Sequence, residues 1–446
     1  MINIFHKNHN KFDRLIHLCF VLLPLFLISG PLLPEIVVIL TCIYAIFKIA
    51  TNHKYRFFLN NKYFILFFLF WINGFLVSLL SYFDLILVQT DRINELPKDI
   101  KNIDSLINSF FYFRYLFFSV GIIIILSENQ KLLKIFFLTC IFCLIILFID
   151  GFYQLFNNVN LFGYEISQEK RVSSFFGDEL VLGSYTLRIL IILIPIFFLL
   201  EKSFKLNSIF FFTLILLAFS LIIISGERTA LLLYLLAISL YLIYRILSNK
   251  EILVVLMLII FSLTFSLKFE SVNKRLIDRT LMEINNFQFI NQNFYIGFFG
   301  QQLLFYVTAT NISKEIPFGI GNKNFKYYCT EYRADEWRPA KQTQSCSTHP
   351  HNIYFNVLVD NGIQGLIIIM GLFLVILYKL LINFGKIYFK KDKNNYRENL
   401  LLIGIFVNFF PIIQHGSFFN NWLSVFYYLS ISIYLYYVIN KNNLQR

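Results

Sequence analysis

The chain reads LLKIFFLTCIFCLIILFID over residues 132–150, with no charged residue between Lys134 and Asp150. About 20 apolar residues form a helix that crosses the roughly 30 Å of hydrocarbon in a bilayer. Strands of a membrane barrel instead alternate apolar and polar residues in segments of about ten. The stretch therefore predicts a membrane-spanning helix and argues against an outer-membrane barrel.

The composition of the whole chain agrees with this stretch. Of its 446 residues, 57% are hydrophobic and 15% are charged, whereas soluble domains carry about 25% charged residues. This balance excludes a soluble enzyme and a disordered chain, and it predicts an all-α polytopic membrane protein. Twelve runs are long and apolar enough to span: 14–30, 32–50, 63–83, 109–126, 132–150, 184–200, 208–225, 229–246, 252–268, 362–382, 400–414 and 421–439.

Two tight reversals, at residues 30–34 and 225–228, decide which side of the membrane the later loops face. The loop charges test this, because Lys and Arg are retained on the cytoplasmic side. The formal net charge is +13, and the excess lies in connections on one side, such as residues 386–397. We therefore expect a multi-pass membrane protein with both termini cytoplasmic. Scattered basic residues in short loops do not predict nucleic-acid binding.

This orientation divides the chain into three parts. Residues 1–268 hold nine predicted helices and the outer connections 84–108 and 151–183. Residues 269–361 form a large periplasmic loop, and residues 362–446 hold the last three helices. Because long ordered loops are usually functional, we expect the chemistry in residues 269–361.

The cysteine positions support this sidedness. Cys329 and Cys346 are the only pair in the large outer segment, while the other four cysteines fall inside predicted spans. An outward-facing bacterial compartment is oxidising, so we predict a disulfide between them rather than two unrelated thiols. A metal site is disfavoured and none is predicted, because His349 would join only two thiols with no fourth ligand at a usual spacing.

A charged turn, SGERTA at residues 225–230, is the first candidate for chemistry. A Gly-containing turn holds Arg228 at the membrane boundary, where ionisable groups tend to be functional. Such an arginine can also simply extend to water, which is our expectation for Arg114 and Arg188. Arg171 opens the sixth span on the same face, and it is either a substrate contact or an ordinary solvated charge.

Two further segments precede the tenth predicted span. CSTHPHN at residues 346–352 holds His349 and His351, and a neutral imidazole suits the removal of a proton from a hydroxyl near pH 7. The alternative is a pair of surface histidines beside a helix start. PFGIGNKNF at residues 317–325 holds Gly319 and Gly321, whose backbone N–H groups could face a phosphate. This run is more often a turn that ends a helix.

Some motifs of other reaction classes are missing from the sequence. There is no Gly-Lys-Ser phosphate loop, no Ser-centred nucleophile elbow, and no aspartate pair at metal-chelating spacing in an outer loop. We therefore predict no cofactor. Chemistry at the outer face then needs a substrate that arrives already activated and lipid-borne.

The three segments resemble those of the O-antigen ligase and polymerase superfamily of bacterial membrane proteins. SGERTA from residue 225, PFGIG from residue 317 and HPHN from residue 349, followed by DNGIQGL from residue 360, occur in the order and membrane context of that family. The resemblance implies a GT-C-like fold of about twelve transmembrane helices. It also implies transfer of a glycan from undecaprenyl diphosphate to a hydroxyl, such as that of a lipid A-core sugar.

The resemblance also implies roles for single residues. Arg228 would bind the diphosphate, and His351 would be the base or would position the acceptor. The residues expected to contact substrate are Arg171, His349, Asn352, Gly319 and Gly321. The family often has a further arginine ahead of the helix that leads to the Gly run. Gln301 and Gln302 stand there, and the nearest arginines are Arg275 and Arg279.

Three other functions are compatible with these features. A polysaccharide polymerase or a protein O-oligosaccharyltransferase of the same superfamily would carry the same motifs. A transporter is less favoured, because transporters place paired ionisable groups near the midplane in related halves. For the ligase, the expected partners are the lipid-linked glycan donor, a lipid A-core or other glycan acceptor and membrane lipids.

Overall fold

In the computed structural model, long helices pack through their apolar faces. The structure describes residues 10–83, 85, 103–167, 171–200, 208–245, 257, 260, 264, 268–278, 280–282, 288–290, 294–296, 300–330, 346–389, 396–414 and 416–444. The predicted span 252–268 lies almost wholly outside the described residues, as does most of the predicted connection 84–108.

The helices follow one another along the chain, joined by connections of very different lengths. The first nine are Lys11–Phe26 (α1), Leu32–Thr51 (α2), Lys62–Tyr82 (α3), Ile103–Phe111 (α4), Phe113–Glu128 (α5), Lys131–Asn157 (α6), Leu182–Leu200 (α7), Ser208–Ser225 (α8) and Arg228–Arg245 (α9), with 3-10 turns at His53–Asn60 and Ser174–Phe176. The later elements are Glu270–Asn273 (α10) with a π-helical turn Lys274–Asp278, the strands Gln288–Ile290 (β1) and Phe294–Ile296 (β2), Gly300–Glu315 (α11), Phe325–Thr330 (α12), Ile353–Phe389 (α13), Tyr396–Asn408 (α14) and Asn421–Leu444 (α15). The two strands form an antiparallel hairpin.

Seven helices in the described part of the chain are long and apolar enough to cross a membrane: Leu32–Thr51, Lys62–Tyr82, Ile103–Glu128, Lys131–Asn157, Leu182–Leu200, Ile353–Ile387 and Asn421–Lys441. Phe210–Ser225 and Arg228–Tyr244 are shorter apolar helices. The chain is therefore a multi-pass and almost wholly helical membrane protein, and the number of twelve spans stays a prediction. The three-residue strands β1 and β2 form a short hairpin in the predicted periplasmic loop, and the described part of the chain is otherwise nearly all helical.

The two reversals on which the side assignment depends are real breaks between helices. Gly30 lies between α1 and α2 with φ 107°, and Gly226 lies between α8 and α9 with φ 67°. Glycine reaches this left-handed region without steric cost, whereas other residues do not. Neither pair is one bent helix.

Three predicted boundaries differ from the structure. Helix α6 continues to Asn157 and ends where Asn158 adopts the left-handed conformation. Helix α14 ends at Asn408, shortly before Pro411, and a proline cannot continue a helix. Helix α13 begins at Ile353 rather than at 362, and it bends at Gly362, where φ is 73° and ψ is −176°.

Helices α5 and α7 are enclosed by their neighbours. Helix α5 packs between α2 and α15, while α7 packs against α6, α8, α9 and α14. Helix α2 instead exposes Ile36, Ile39, Ile43 and Ile46. Their spacing of three or four residues places them on one face, as expected of a helix that contacts lipid.

Contacts between helix ends define two ends of the helix bundle. At one end, the Trp422 indole N–H at the start of α15 donates to the Leu27 carbonyl just after α1, at 2.9 Å. At the opposite end, Lys48 of α2 lies 2.9 Å from the carboxylate of Glu128 at the end of α5. We call the first the site end, because the candidate residues described next lie there.

Candidate active site at one end of the helices

The turn between α8 and α9 presents Arg228 as the first residue of α9. The Ser225 hydroxyl accepts a hydrogen bond from the Glu227 N–H at 3.3 Å and donates to the Ile222 carbonyl at 2.7 Å, which closes the turn. Arg228 is half-buried, and its guanidinium donates to the Thr280 hydroxyl at 3.4 Å. Thr280 belongs to the predicted periplasmic loop 269–361, so this part of the loop lies against the turn.

Glu227 and Arg171 support the same turn from the side of α7. The Glu227 carboxylate accepts the N–H groups of Gly183 and Ser184, at 2.7 and 3.1 Å, and so caps α7. Burial raises the pKa of Glu227 to about 7, opposed by the nearby guanidinium of Arg171. Arg171 donates to the carbonyls of Ser225 and Leu180, at 3.1 and 2.9 Å. The structure therefore brings Arg171 to the Arg228 turn and uses its guanidinium to hold the backbone there.

The two histidines lie against each other directly before α13. Their ring centroids are 4.1 Å apart, and the Phe305 ring lies 5.3 Å from that of His351. The Ser347 hydroxyl is 3.0 Å from His351 Nε2, and the Thr348 hydroxyl is 2.9 Å from His349 Nδ1. Burial lowers the pKa of His351 below its ordinary value. A neutral imidazole that can accept a proton is the favoured form of this side chain near neutral pH.

A disulfide holds the segment that leads to the histidines. It joins Cys329, at the end of α12, to Cys346, with the Cα atoms 5.7 Å apart. Cys329 is fully buried in a small apolar cluster of the outer segment together with Ala309, Ile312 and Val359. The predicted pair is therefore bonded in the structure, and it anchors the chain close to His351.

Asn352 holds the start of α13. Its Oδ1 accepts the N–H of Tyr354 at 2.9 Å, and its Nδ2 donates to the Pro411 carbonyl at 2.7 Å. Only 3% of Asn352 is exposed. Both polar groups of the amide are engaged in the fold, and the contact of Asn352 with substrate stays a prediction.

The Gly run folds onto the bend of α13. Gly319 and Gly321 have φ values of 95° and 90°. The Gly319 N–H donates to the Ile316 carbonyl at 3.1 Å, and the Gly321 N–H donates to the Asp360 carbonyl at 2.9 Å. Both N–H groups have acceptors within the fold, and the contact of Gly319 and Gly321 with substrate stays a prediction. The bend at Gly362 leaves carbonyls of α13 without helical donors, and the run supplies donors instead.

Asp360 is the first residue of the DNGIQGL motif, and the sequence predicts no role for it. Its side chain is fully buried, and its Oδ2 accepts both the Lys323 N–H at 3.0 Å and the Asn356 Nδ2 at 2.8 Å. Asn356 and Asp360 are four residues apart, which is one helical turn. Two polar residues at that spacing beside an apolar run are the signal that could have identified them.

The arginines within the spans are paired, not extended to water as expected. Only 4% of Arg188 is exposed; it donates to Asn408 Oδ1 at 2.6 Å and lies over the ring of Tyr427. Arg114 forms an ion pair with Glu35. Burial of an unpaired charge is costly, and these partners offset that cost.

The structure thus forms two groups of candidate residues at the site end. One contains Arg171, Glu227 and Arg228, and the other contains His349 and His351. The side chains of Arg275, Arg279 and Gln301 lie outside the described part of the structure. No group of three or more His, Cys, Asp or Glu residues that could hold a metal ion occurs among the described residues.

These features define a multi-pass membrane protein with a polar site at one end of its helices. Residues 212–370 match the family model described as O-Antigen ligase, from α8 into α13. The match confirms the resemblance to the O-antigen ligase superfamily seen in the sequence. The match supports a glycosyltransferase-like enzyme that acts in glycan processing. Arg171 lies outside the matched residues, and a comparison with curated proteins found no match.

Proposed function

We propose that the protein is an O-antigen ligase-type glycosyltransferase that moves a glycan from undecaprenyl diphosphate to a sugar hydroxyl of lipid A-core. The observation that carries this proposal is the half-buried His351, which lies within the family match and whose pKa is lowered by burial. A base in this state can accept the proton of an incoming hydroxyl near neutral pH.

Arg228 supplies the positive charge that a diphosphate leaving group requires. A guanidinium matches the oxygens of a diphosphate in a bidentate manner and stabilises the charge that develops on a leaving group. Its position at the first residue of α9 adds the partial positive charge of a helix N-terminus. Arg171 and Glu227 hold this turn, and His349 packs beside the base.

The reaction forms one bond and breaks one bond. The acceptor oxygen attacks the anomeric carbon of the glycan, and the bond from that carbon to the diphosphate oxygen breaks. The hydroxyl proton goes to His351, and the electron pair of the broken bond stays on the diphosphate beside Arg228. Attack opposite the leaving group inverts the anomeric carbon. The step needs no metal or cofactor for its balance.

We also infer the cellular arrangement. Residues 269–361 would face the periplasm, between predicted helices 1–9 in residues 1–268 and helices 10–12 in residues 362–446. Both termini would lie in the cytoplasm and the protein in the bacterial inner membrane. The basic connections at the end opposite the site support this orientation.

Complementation of cells that lack their own ligase tests the function. The cells would receive a compatible lipid-linked glycan, and glycan-capped lipopolysaccharide would be scored. We expect capping with the wild type and its loss, at equal protein level, with Arg228→Ala and His351→Ala. Arg56→Ala and His53→Ala are matched controls at the opposite end, where both residues are exposed, and they should cap normally.

The same assay distinguishes the alternatives. Longer glycans on the carrier without capping would assign the protein as a polymerase, and glycan on protein would assign it as an O-oligosaccharyltransferase. Capping that persists in both site variants would refute the proposed roles of Arg228 and His351.

A further inference from the structure

Helix α13 consists of two parts separated at Gly362, and the first part carries the histidines at its beginning. This half-helix covers residues 353–361. At its start, Asn352 bonds to the Pro411 carbonyl, and the Tyr354 hydroxyl donates to the Phe409 carbonyl at 2.6 Å. At its end, a bend replaces the continuous helix. The orientation of the half-helix is therefore set by contacts at both ends rather than by the rest of α13.

Backbone contacts with the Gly run fix the bent end. The Ile320 N–H donates to the Val359 carbonyl at 2.9 Å, and the Ile363 N–H donates to the Pro317 carbonyl at 3.0 Å. The Lys323 N–H donates to Asp360 Oδ2. Lys323 has φ 64°, an unusual value for a residue with a side chain, and this hydrogen bond helps to hold it there.

Asp360 joins three separate parts of the chain. Its Oδ2 bonds the run through Lys323 and bonds its own helix through Asn356. Asn356 Oδ1 in turn accepts the Phe418 N–H at 2.9 Å and the Ser417 hydroxyl at 3.1 Å, both in the connection before α15. Asp360 Oδ1 is buried and has no hydrogen-bond partner among the described residues. A buried carboxyl group with one oxygen left without a partner is costly, so its place in this junction calls for a function.

We propose that Asp360 is a positioning residue, which sets the placement of His351 through Asn356 and the Lys323 backbone. The inference rests on the proposed role of His351. His351 lies two residues before the half-helix, whose nine residues span about 14 Å at the rise of a helix. A tilt of about 4° at the bend moves the imidazole by about 1 Å, and a displacement of that size can lower a rate by about 100-fold.

The geometry provides a test by conservative substitution. In Asn356→Asp, two carboxyl groups meet at the 2.8 Å contact, and they cannot both be ionised. In Asp360→Asn, the amide oxygen can take the position of Oδ2 and accept both the Lys323 N–H and the Asn356 Nδ2 group. Asn356 then still accepts the Phe418 N–H. The hydrogen bonds of the junction are therefore retained in Asp360→Asn and lost in Asp360→Ala.

The experiment measures glycan transfer by purified full-length protein in lipid nanodiscs, with kcat and KM referred to the folded fraction. We expect kcat to fall about 100-fold in Asp360→Ala and in Asn356→Asp, with KM for donor and acceptor nearly unchanged. Asp360→Asn should retain most of the kcat. Glu398→Gln, a charge removal at the opposite end, controls for a general effect.

Each outcome decides between a positioning role and a purely structural one. A structural role would lower the yield of folded protein and leave kcat per folded molecule at the wild-type value, which would overturn the proposal. A kcat in Asp360→Asn as low as that of Asp360→Ala would also overturn it. If wild type transfers glycan and His351→Ala does so equally well, the proposed function fails first, independently of Asp360.

Discussion

The disulfide between Cys329 and Cys346 closes a loop that restrains the histidine segment. The two cysteines are separated by 17 residues, and Cys346 is five residues from His351. Replacement of both by serine, Cys329→Ser/Cys346→Ser, removes the cross-link and keeps similar side-chain volumes. We expect the segment 346–352 to open more often and transfer activity to fall.

The magnitude follows from loop entropy. For a loop of this size, the chain-entropy relation gives a stabilisation of about 3 kcal/mol at 25 °C. Since 1.4 kcal/mol corresponds to a factor of ten, the open population should rise by roughly 200-fold. Cys329 is fully buried, so its serine hydroxyl would add a further small cost.

Hydrogen exchange read by mass spectrometry measures this opening directly. Amides of residues 346–352 should exchange faster by roughly the factor above, while those of α5 should be unchanged. Cys19→Ser, at a thiol outside the pair, is the control and should exchange as the wild type does. Unchanged exchange in the double variant, or free thiols at both positions in protein from native membranes, would refute the reasoning.

Three other perturbations follow from the same geometry. Because burial lowers the pKa of His351, the acid limb of kcat/KM should lie below the ordinary histidine pKa of about 6.5; a limb at or above that value contradicts a buried base. Burial raises the pKa of Glu227 to about 7, so the folded protein retains a proton that the unfolded chain releases near 4.5, and stability should fall by roughly 3 kcal/mol as pH rises between these values. Glu227→Gln should flatten that part of a thermal-unfolding profile, and an unchanged slope would assign the pH dependence elsewhere. Gly362→Ala places a Cβ against the Phe318 backbone at positive φ and should cost about 3 kcal/mol or more, read as a loss of folded protein on gel filtration.

Helix positions could be predicted from the sequence because membrane spans have a strong signal. The run at residues 132–150 lies within α6. The reversals at Gly30 and Gly226 each separate two helices, as predicted. Lipid requires internal hydrogen bonding of the backbone, which leaves few alternatives to a helix. The end of α6 and the start of α13 differ from the prediction, because hydropathy detects only the apolar part of a helix. Helices continue as long as their N–H and C=O groups find partners.

The candidate site could be located from the sequence, but the use of each group could not. His349 and His351 are adjacent as the local motif suggests. Asn352 and Gly321 are predicted as substrate contacts because their polar groups lie in the same motifs. Their partners, Pro411 and Asp360, are 59 and 39 residues away in the chain, and no local pattern reveals such pairings. Long-range hydrogen bonds therefore decide which polar groups remain for a ligand.

The two groups of candidate residues at the site end share a support that lies outside the family match. Arg188 of α7 bonds to Asn408, and Asn352 bonds to the Pro411 carbonyl. Helix α7 is also the helix that Glu227 caps beside Arg228. The segment 408–411 therefore connects the helix behind the Arg228 turn to the start of the half-helix that bears His351. The match ends at residue 370 and includes neither α7 nor α14. The candidate motifs are therefore recognisable in sequence, whereas the relative placement of the two groups depends on α7 and α14.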